Sequence, residues 1–445
     1  MAMYRRIYNM VWVAVLLLMV GCQRSDTPTT VLNDGEVEHT LVMYLIANNN
    51  LEYSIYRNAI DAEKGMEGAL PSTRLVVYLD NRTETTLYEV RYLPYGDGGE
   101  YIRYCKELKE YPQQTSTTPE VMRSVLEDVK ELAPSKSYGL VMSGHGTGWF
   151  PKPSSGTSYD QQKVAPKGGE YNFNYERFMP ETRAMGYDLV EQPDGSFVRT
   201  DESFISASEI VEGLSPIHFD YIIFDACFMS SIEFLYDVRE AADYVLASPV
   251  EILGVGLPYK EIVSNLMSEK HDLAALCDVI MDVYMRDNEF TTTKSLALAL
   301  LDCSRLEYLS DVVAEIYASV NDGDYRTTIA NRVDMSQMQV LDRMDPAAFH
   351  DFEDYVLALA GEGELRDKFV AALDEVVVRS VHTEDIYSYG YSPDGWSVGY
   401  EFIENKVGGV LTLSGINTYI PYRNVPITLG HYFQTAWAKK IYGIE

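Results

Sequence analysis

From Tyr221 to Ser231 the chain reads YIIFDACFMSS. A short apolar run ends on Asp225 and Cys227, and SSIEFLYDVREAAD after it has helical spacing. This is a strand–turn–helix unit. Upstream, Leu140–Trp149 reads LVMSGHGTGW, a second apolar run that stops on His145 between Gly144 and Gly146. Outward from these two, TLVMYLIA (40–47), RLVVYLD (74–80) and YVLAS (244–248) read as further buried strands, and TLYEVRYL (86–93) alternates as an edge strand would. LEYSIYRNAIDAEKGME and TTPEVMRSVLEDVKELAP read as helices, the second capped by Thr118 with Pro119 in its first turn. Ser206 and Glu209 form a capping box. Strands and helices alternating at this spacing predict an α/β fold, a largely parallel central sheet flanked by helices. In such sheets functional groups collect at the carboxyl ends of strands, where His145 and Cys227 fall.

The rest of the chain divides around this unit. Arg5 and Arg6 precede the apolar run IYNMVWVAVLLLMV, which reads as a signal-peptide core over residues 1–21. Met19–Cys22 resembles a bacterial lipobox, which implies a lipidated Cys22, a polar tether over 22–38 and a lipid anchor in the bacterial cell envelope, at the outer membrane. Residues 39–257 are expected to form the catalytic domain. Within it, residues 150–203 are rich in Pro, Gly, Ser and Tyr and read as an exposed insertion. Residues 258–445 read as a mainly helical C-terminal part, LRDKFVAALDEVVVRS included, with strands at SLALALL and GGVLTLSGINTYIPY. The 36 basic and 67 acidic residues give a net charge of −31. That argues against nucleic-acid binding, which needs clustered Lys and Arg on phosphates. Cys105, Cys277 and Cys303 show no disulfide framework and no C-x-x-C spacing. Nothing in the sequence gives the oligomeric state.

A thiol attacks a carbonyl as thiolate, and a neighbouring imidazole can take its proton. Two adjacent strand ends would bring Cys227 and His145 together. The N–H groups of Gly146 and Cys227 could then stabilise an oxyanion, and a helix opening at Cys227 would favour the thiolate. Asp225, two residues earlier on a strand, points to the same face as Cys227. On residue chemistry alone a buried core thiol and a loop histidine stand beside this reading. A phosphate cradle is a third, although no Lys follows the glycines as a P-loop needs.

SGHGTGW and FDACFMSSIE together resemble the clostripain family of cysteine peptidases, whose fold is caspase-like. LVMYLIANNNLE is similar to that family's first strand and turn, YVLASPVEILGVGLPY to its segment after the nucleophile, and LSGINTYIPY to a late strand. The resemblance implies Cys227 as nucleophile, His145 as base and acid, no obligatory third member, and Gly146 as oxyanion donor. It implies protein or peptide substrates cleaved after Arg or Lys, with Asp225 in the pocket that reads the basic side chain. Several relatives carry an acid after the Ser matching Ser248. Here Pro249 follows, and Glu251 is the nearest carboxylate. The resemblance also implies self-cleavage in the loop after the His motif, for which Arg183 is the expected site and Lys167 the next. Some relatives need calcium, but no dense carboxylate cluster places a site here, and no cofactor is assigned. The alternative is a surface-binding lipoprotein of the same fold without turnover.

Overall fold

The computed structural model describes residues 35–81, 83–95, 100–150, 185, 188, 190–191, 197–198, 204–269, 271–321, 323–344, 347–391, 397–404, 411–422 and 430–444. The strands are β1 (Val37–Ile46), β2 (Thr73–Asp80), β3 (Thr85–Tyr95), β4 (Glu100–Tyr111), β5 (Ser135–Ser143), β6 (Phe219–Asp225), β7 (Ala242–Ala247), β8 (Ala297–Asp302) and β9 (Val377–His382). They form one nine-stranded sheet in the order β9-β8-β7-β6-β5-β1-β2-β3-β4. The central five, β7-β6-β5-β1-β2, pair in parallel, and the outer strands pair antiparallel. The α/β class and the largely parallel sheet expected from the sequence are thus observed.

The strands are apolar runs rather than alternating ones because helices cover both faces. On one face Tyr44, Met142 and Phe224 pack with α2 (Pro119–Leu132), α3 (Ala207–Leu214), α4 (Ile232–Val238) and helices of the C-terminal part. On the other, Met43, Val141 and Ile223 pack with α1 (Glu52–Gly65), α5 (Tyr259–Leu266) and α6 (Leu273–Arg286). Thr118 caps α2 with Pro119 in its first turn, and Ser206 with Glu209 closes a capping box on α3.

Several expectations are corrected. TLYEVRYL lies in β3, which is not the edge: β4 covers it. β4 carries charged residues along most of its length and, apart from Tyr111, is at least partly exposed throughout, so no apolar run announces it. A charged edge also resists pairing with other chains. Cys105, on β4, is disulfide-bonded, against the expectation of no disulfide framework. Cys227, Cys277 and Cys303 are free. The segment LRDKFVAALDEVVVRS is not one helix: α7 (Glu364–Val376) gives way at Val377 to β9, where β-branched residues crowd together. Of GGVLTLSGINTYIPY, Asn417–Thr418 forms a two-residue strand on His350–Asp351. A hairpin, β10 (Tyr387–Tyr391) and β11 (Ser397–Phe402), follows β9.

Within the insertion, buried Met185 bridges Gly146 on one side and Ile205 on the other. Asp188 is also buried. It accepts from the Ser116 N–H at 2.6 Å and lies in hydrogen-bond contact with Asp80 at the end of β2. Burial first, and then the neighbouring Asp80 charge, pushes Asp188 up to about 9.

Candidate active site

The register of the central strands sets the site. β5 and β6 run parallel with Ser143 opposite Asp225. His145 and Cys227 each follow two residues later, in the loops beyond the strand ends. Gly144 N–H donates to the Asp225 carbonyl at 3.4 Å, tying the two strand ends together. Gly146 must be a glycine here. A Cβ on it would lie 2.6 Å from the Cys227 carbonyl oxygen and 3.0 Å from the Cys227 nitrogen, so the two loops touch backbone to backbone. His145 and Cys227 line one cleft of about 410 Å³.

The Cys227 thiol donates to the Ile252 carbonyl at 3.5 Å and accepts from the Ile252 N–H at 3.3 Å. Burial, with Glu251 adding to it, pushes the thiol well above its usual range. The expected help from a helix opening at Cys227 is absent. α4 begins only at Ile232, capped by Ser231, so Cys227 is not in its first turn. Burial thus favours the protonated thiol, which a neighbouring base would have to ionise. Phe228, next to it, has φ 60° and is the one non-glycine residue with positive φ among those described. Its N–H donates to the Val250 carbonyl at 3.0 Å and its ring stacks on Phe349 at 4.4 Å, which holds the turn in a conformation costing of order 1–3 kcal/mol.

On the imidazole side, His145 Nε2 lies 2.7 Å from Asn50 Oδ1. Asn50 follows β1, the strand next to β5. Beneath the thiol the Asp225 carboxylate accepts from Tyr259 Oη at 2.8 Å and Ser143 Oγ at 3.2 Å, and burial raises its pKa. Gly256 has φ +74°, and a Cβ there would come within 2.7 Å of Asp225 Oδ2, so its lack of a side chain keeps the cleft open over the carboxylate. Glu251 also lines the cleft. Its carboxylate accepts from the Tyr389 N–H at 2.8 Å, and burial pushes it up to about 8. Tyr389 and Tyr400 reach the cleft from the hairpin. Asp225, Cys227, Glu251, Gly146 and His145 are therefore brought together. Ser248 is not among the lining residues: it is fully buried, its hydroxyl donating to the Val250 carbonyl at 2.9 Å.

Cys22, Lys167 and Arg183 lie outside the described residues. Among the described residues there is no group of three or more His, Cys, Asp or Glu side chains that could hold a metal ion. No helix among them is long and apolar enough to cross a membrane. Asn50, Gly256, Tyr259, Tyr389 and Tyr400 were not legible as site residues. The hint for Asn50 was its place just past the carboxyl end of a parallel strand. The two hairpin tyrosines gave none, being more than 160 residues from the thiol in sequence.

A model of the clostripain family matches residues 167–439, a span that includes Asp225 and Cys227 but not His145. The chain belongs to the clostripain family. It is a cysteine peptidase. The structure of iotapain, a secreted C11 cysteine protease from Bacteroides thetaiotaomicron, superposes with a TM-score of 0.68 at 27% identity, covering 92% of this chain and 100% of that one. A secreted C11 cysteine protease from the same organism, in complex with an irreversible peptide inhibitor, gives a TM-score of 0.68 at 21% identity over 91% of this chain and 98% of that one. An inactive zymogen C11 protease from Parabacteroides distasonis gives 0.68 at 22% over 92% and 99%. The last two likenesses show the shared fold alone, the caspase-like arrangement that the clostripain motifs implied. No curated protein matches the chain in sequence.

Proposed function

We propose that this clostripain-family chain is an endopeptidase that cuts after Arg or Lys through Cys227 and His145, matures by its own cut within 150–203, and is lipid-anchored at Cys22 in the cell envelope. The observation that carries the reading is the β5–β6 register, which puts an imidazole, a thiol and a buried carboxylate into one cleft. His145 takes the Cys227 proton as sulfur attacks the scissile carbonyl, and the Gly146 and Cys227 N–H groups face the oxyanion. His145 then gives the proton to the leaving amine, and water hydrolyses the acyl-enzyme. A guanidinium or ammonium entering over Gly256 would meet Asp225 and favour its ionised form. Glu251 is a second carboxylate within the same cleft.

The test is a panel of fluorogenic peptides with Arg, Lys or neutral residues before the cut, run on protein beginning at Gln23. Cys227→Ala and His145→Ala should each abolish turnover while leaving the fold intact, with losses far from additive because the pair acts as a unit. Asp225→Asn should depress cleavage after Arg and Lys far more than alkylation of Cys227. Wild-type turnover in either dyad variant overturns the mechanism. For maturation, Arg183 is the proposed site: a new N-terminus at Ala184 should appear in wild type and not in Cys227→Ala. Met185, already held between Gly146 and Ile205, would keep that new end in place. The anchor is tested by the mass of the N-terminal peptide. The Cys22 sulfur can carry a lipid thioether or serve as the partner of Cys105, not both, and a disulfide-linked peptide would overturn the anchor.

A further inference from the structure

We propose that Asn50 is a positioning residue for His145, holding the proton on Nε2 so that Nδ1 is the nitrogen that serves the thiol. The proposal rests on the dyad reading above and adds a third member to it. Three adjacent parallel strands feed the site: β6 delivers Cys227, β5 delivers His145, and β1 delivers Asn50. Leu45 pairs with Ser143 across β1 and β5, so the turn after β1 rises beside the His145 loop.

That turn is fixed by its own side chains. Asn49, almost fully buried, donates from Nδ2 to the Ile46 carbonyl at 2.9 Å and accepts the Leu51 N–H on Oδ1 at 2.8 Å. Such an Asx turn leaves the next side chain little freedom to drift. Asn50 is exposed, and its Oδ1 meets His145 Nε2 at 2.7 Å. An amide oxygen only accepts, so Nε2 carries the hydrogen and the lone pair of the neutral ring sits on Nδ1.

The Cys227 S–H proton passes to Nδ1 while the sulfur pair forms the S–C bond and the carbonyl π pair moves to oxygen. As the C–N bond breaks, the Nδ1 proton passes to the leaving nitrogen. Nε2–H stays on Asn50 throughout, and the amide oxygen stabilises the imidazolium between the two transfers. Without that acceptor the ring can adopt the other tautomer or swing away, and the cost falls on kcat.

The test measures kcat and KM against pH for wild type, Asn50→Ala, Asn50→Asp and His145→Ala, with thermal melts as a folding control. Asn50→Ala should lose roughly 10–100-fold in kcat, the usual cost of removing a histidine's orienting partner, with KM within about twofold. Asn50→Asp keeps an acceptor oxygen and adds a charge. It should restore most of kcat and move the acid limb of kcat/KM to higher pH by roughly one unit. A purely structural role would not move that limb. A wild-type kcat in Asn50→Ala, a change confined to KM, or an Asn50→Asp variant as slow as Asn50→Ala would each overturn the proposal. If His145→Ala is inactive in those cases, the dyad reading stands and only the role of Asn50 falls. If His145→Ala keeps its activity, both fall.

Discussion

The Glu251 carboxyl works against the thiol beside it. Burial holds it up to about 8, so it is largely protonated at neutral pH, and its charge, once formed, disfavours the Cys227 thiolate. Glu251→Gln removes that charge and keeps an acceptor for the Tyr389 N–H. Alkylation of Cys227 by iodoacetamide should therefore be roughly 3–10-fold faster in the variant at pH 9, as a half- to one-unit fall in thiol pKa would give, and nearly unchanged at pH 7. Equal rates at pH 9 would show that the two groups do not interact. At this scale His145 and Cys227 were legible because each ends an apolar run with an ionisable group that packing does not require. Asn50 was harder to see: asparagines are common in turns after strands, and only the neighbouring strand's register gives this one a partner.

At the scale of elements, the β10–β11 hairpin is a wall of the cleft. Glu251 holds it through the Tyr389 N–H, and Tyr389 and Tyr400 meet edge to face at 5.0 Å. Tyr400 is still 52% exposed, which leaves its ring available to a bound peptide. Tyr400→Ala should raise KM for peptide substrates severalfold, by the roughly 1–2 kcal/mol that an aromatic contact supplies, while a small alkylating agent reacts with Cys227 at the wild-type rate. A matched loss in both assays would mean the ring supports the nucleophile instead. The central strands were readable from their apolar runs. β4 and β9 were not, since one is mostly charged and the other continues a helix without a breaking residue. Propensity at Val377 and Val378 points to a strand, but only pairing with β8 decides it.

At the scale of the whole molecule, the long insertion is fastened by acids. Asp188 and Asp80 share a buried site where two negative charges cannot both persist. The Asp188 pKa is about 9 in the native state against roughly 3.9 in an unfolded chain. Because the native value is raised, the stability contributed by the protonated acid is fully present below about pH 4 and is lost progressively as pH rises toward 9. The melting temperature of wild type should fall between pH 5 and pH 9 by more than that of Asp188→Asn, which has no proton to hold. Parallel slopes in the two proteins would show that the pair does not share a proton.

The strand order carries a consequence for any cut within the insertion. Residues before the insertion supply β5-β1-β2-β3-β4, and residues after it supply β9-β8-β7-β6, so the sheet halves meet along the β5–β6 seam alone. A cut between 150 and 203 would make this peptidase a heterodimer with His145 on one subunit and Cys227 on the other. Its unfolding would then release two molecules from one, and mass action would govern it. The melting temperature of the cut enzyme should rise with protein concentration, while that of uncut Cys227→Ala should not. Dilution would become a route to inactivation that the single chain does not have.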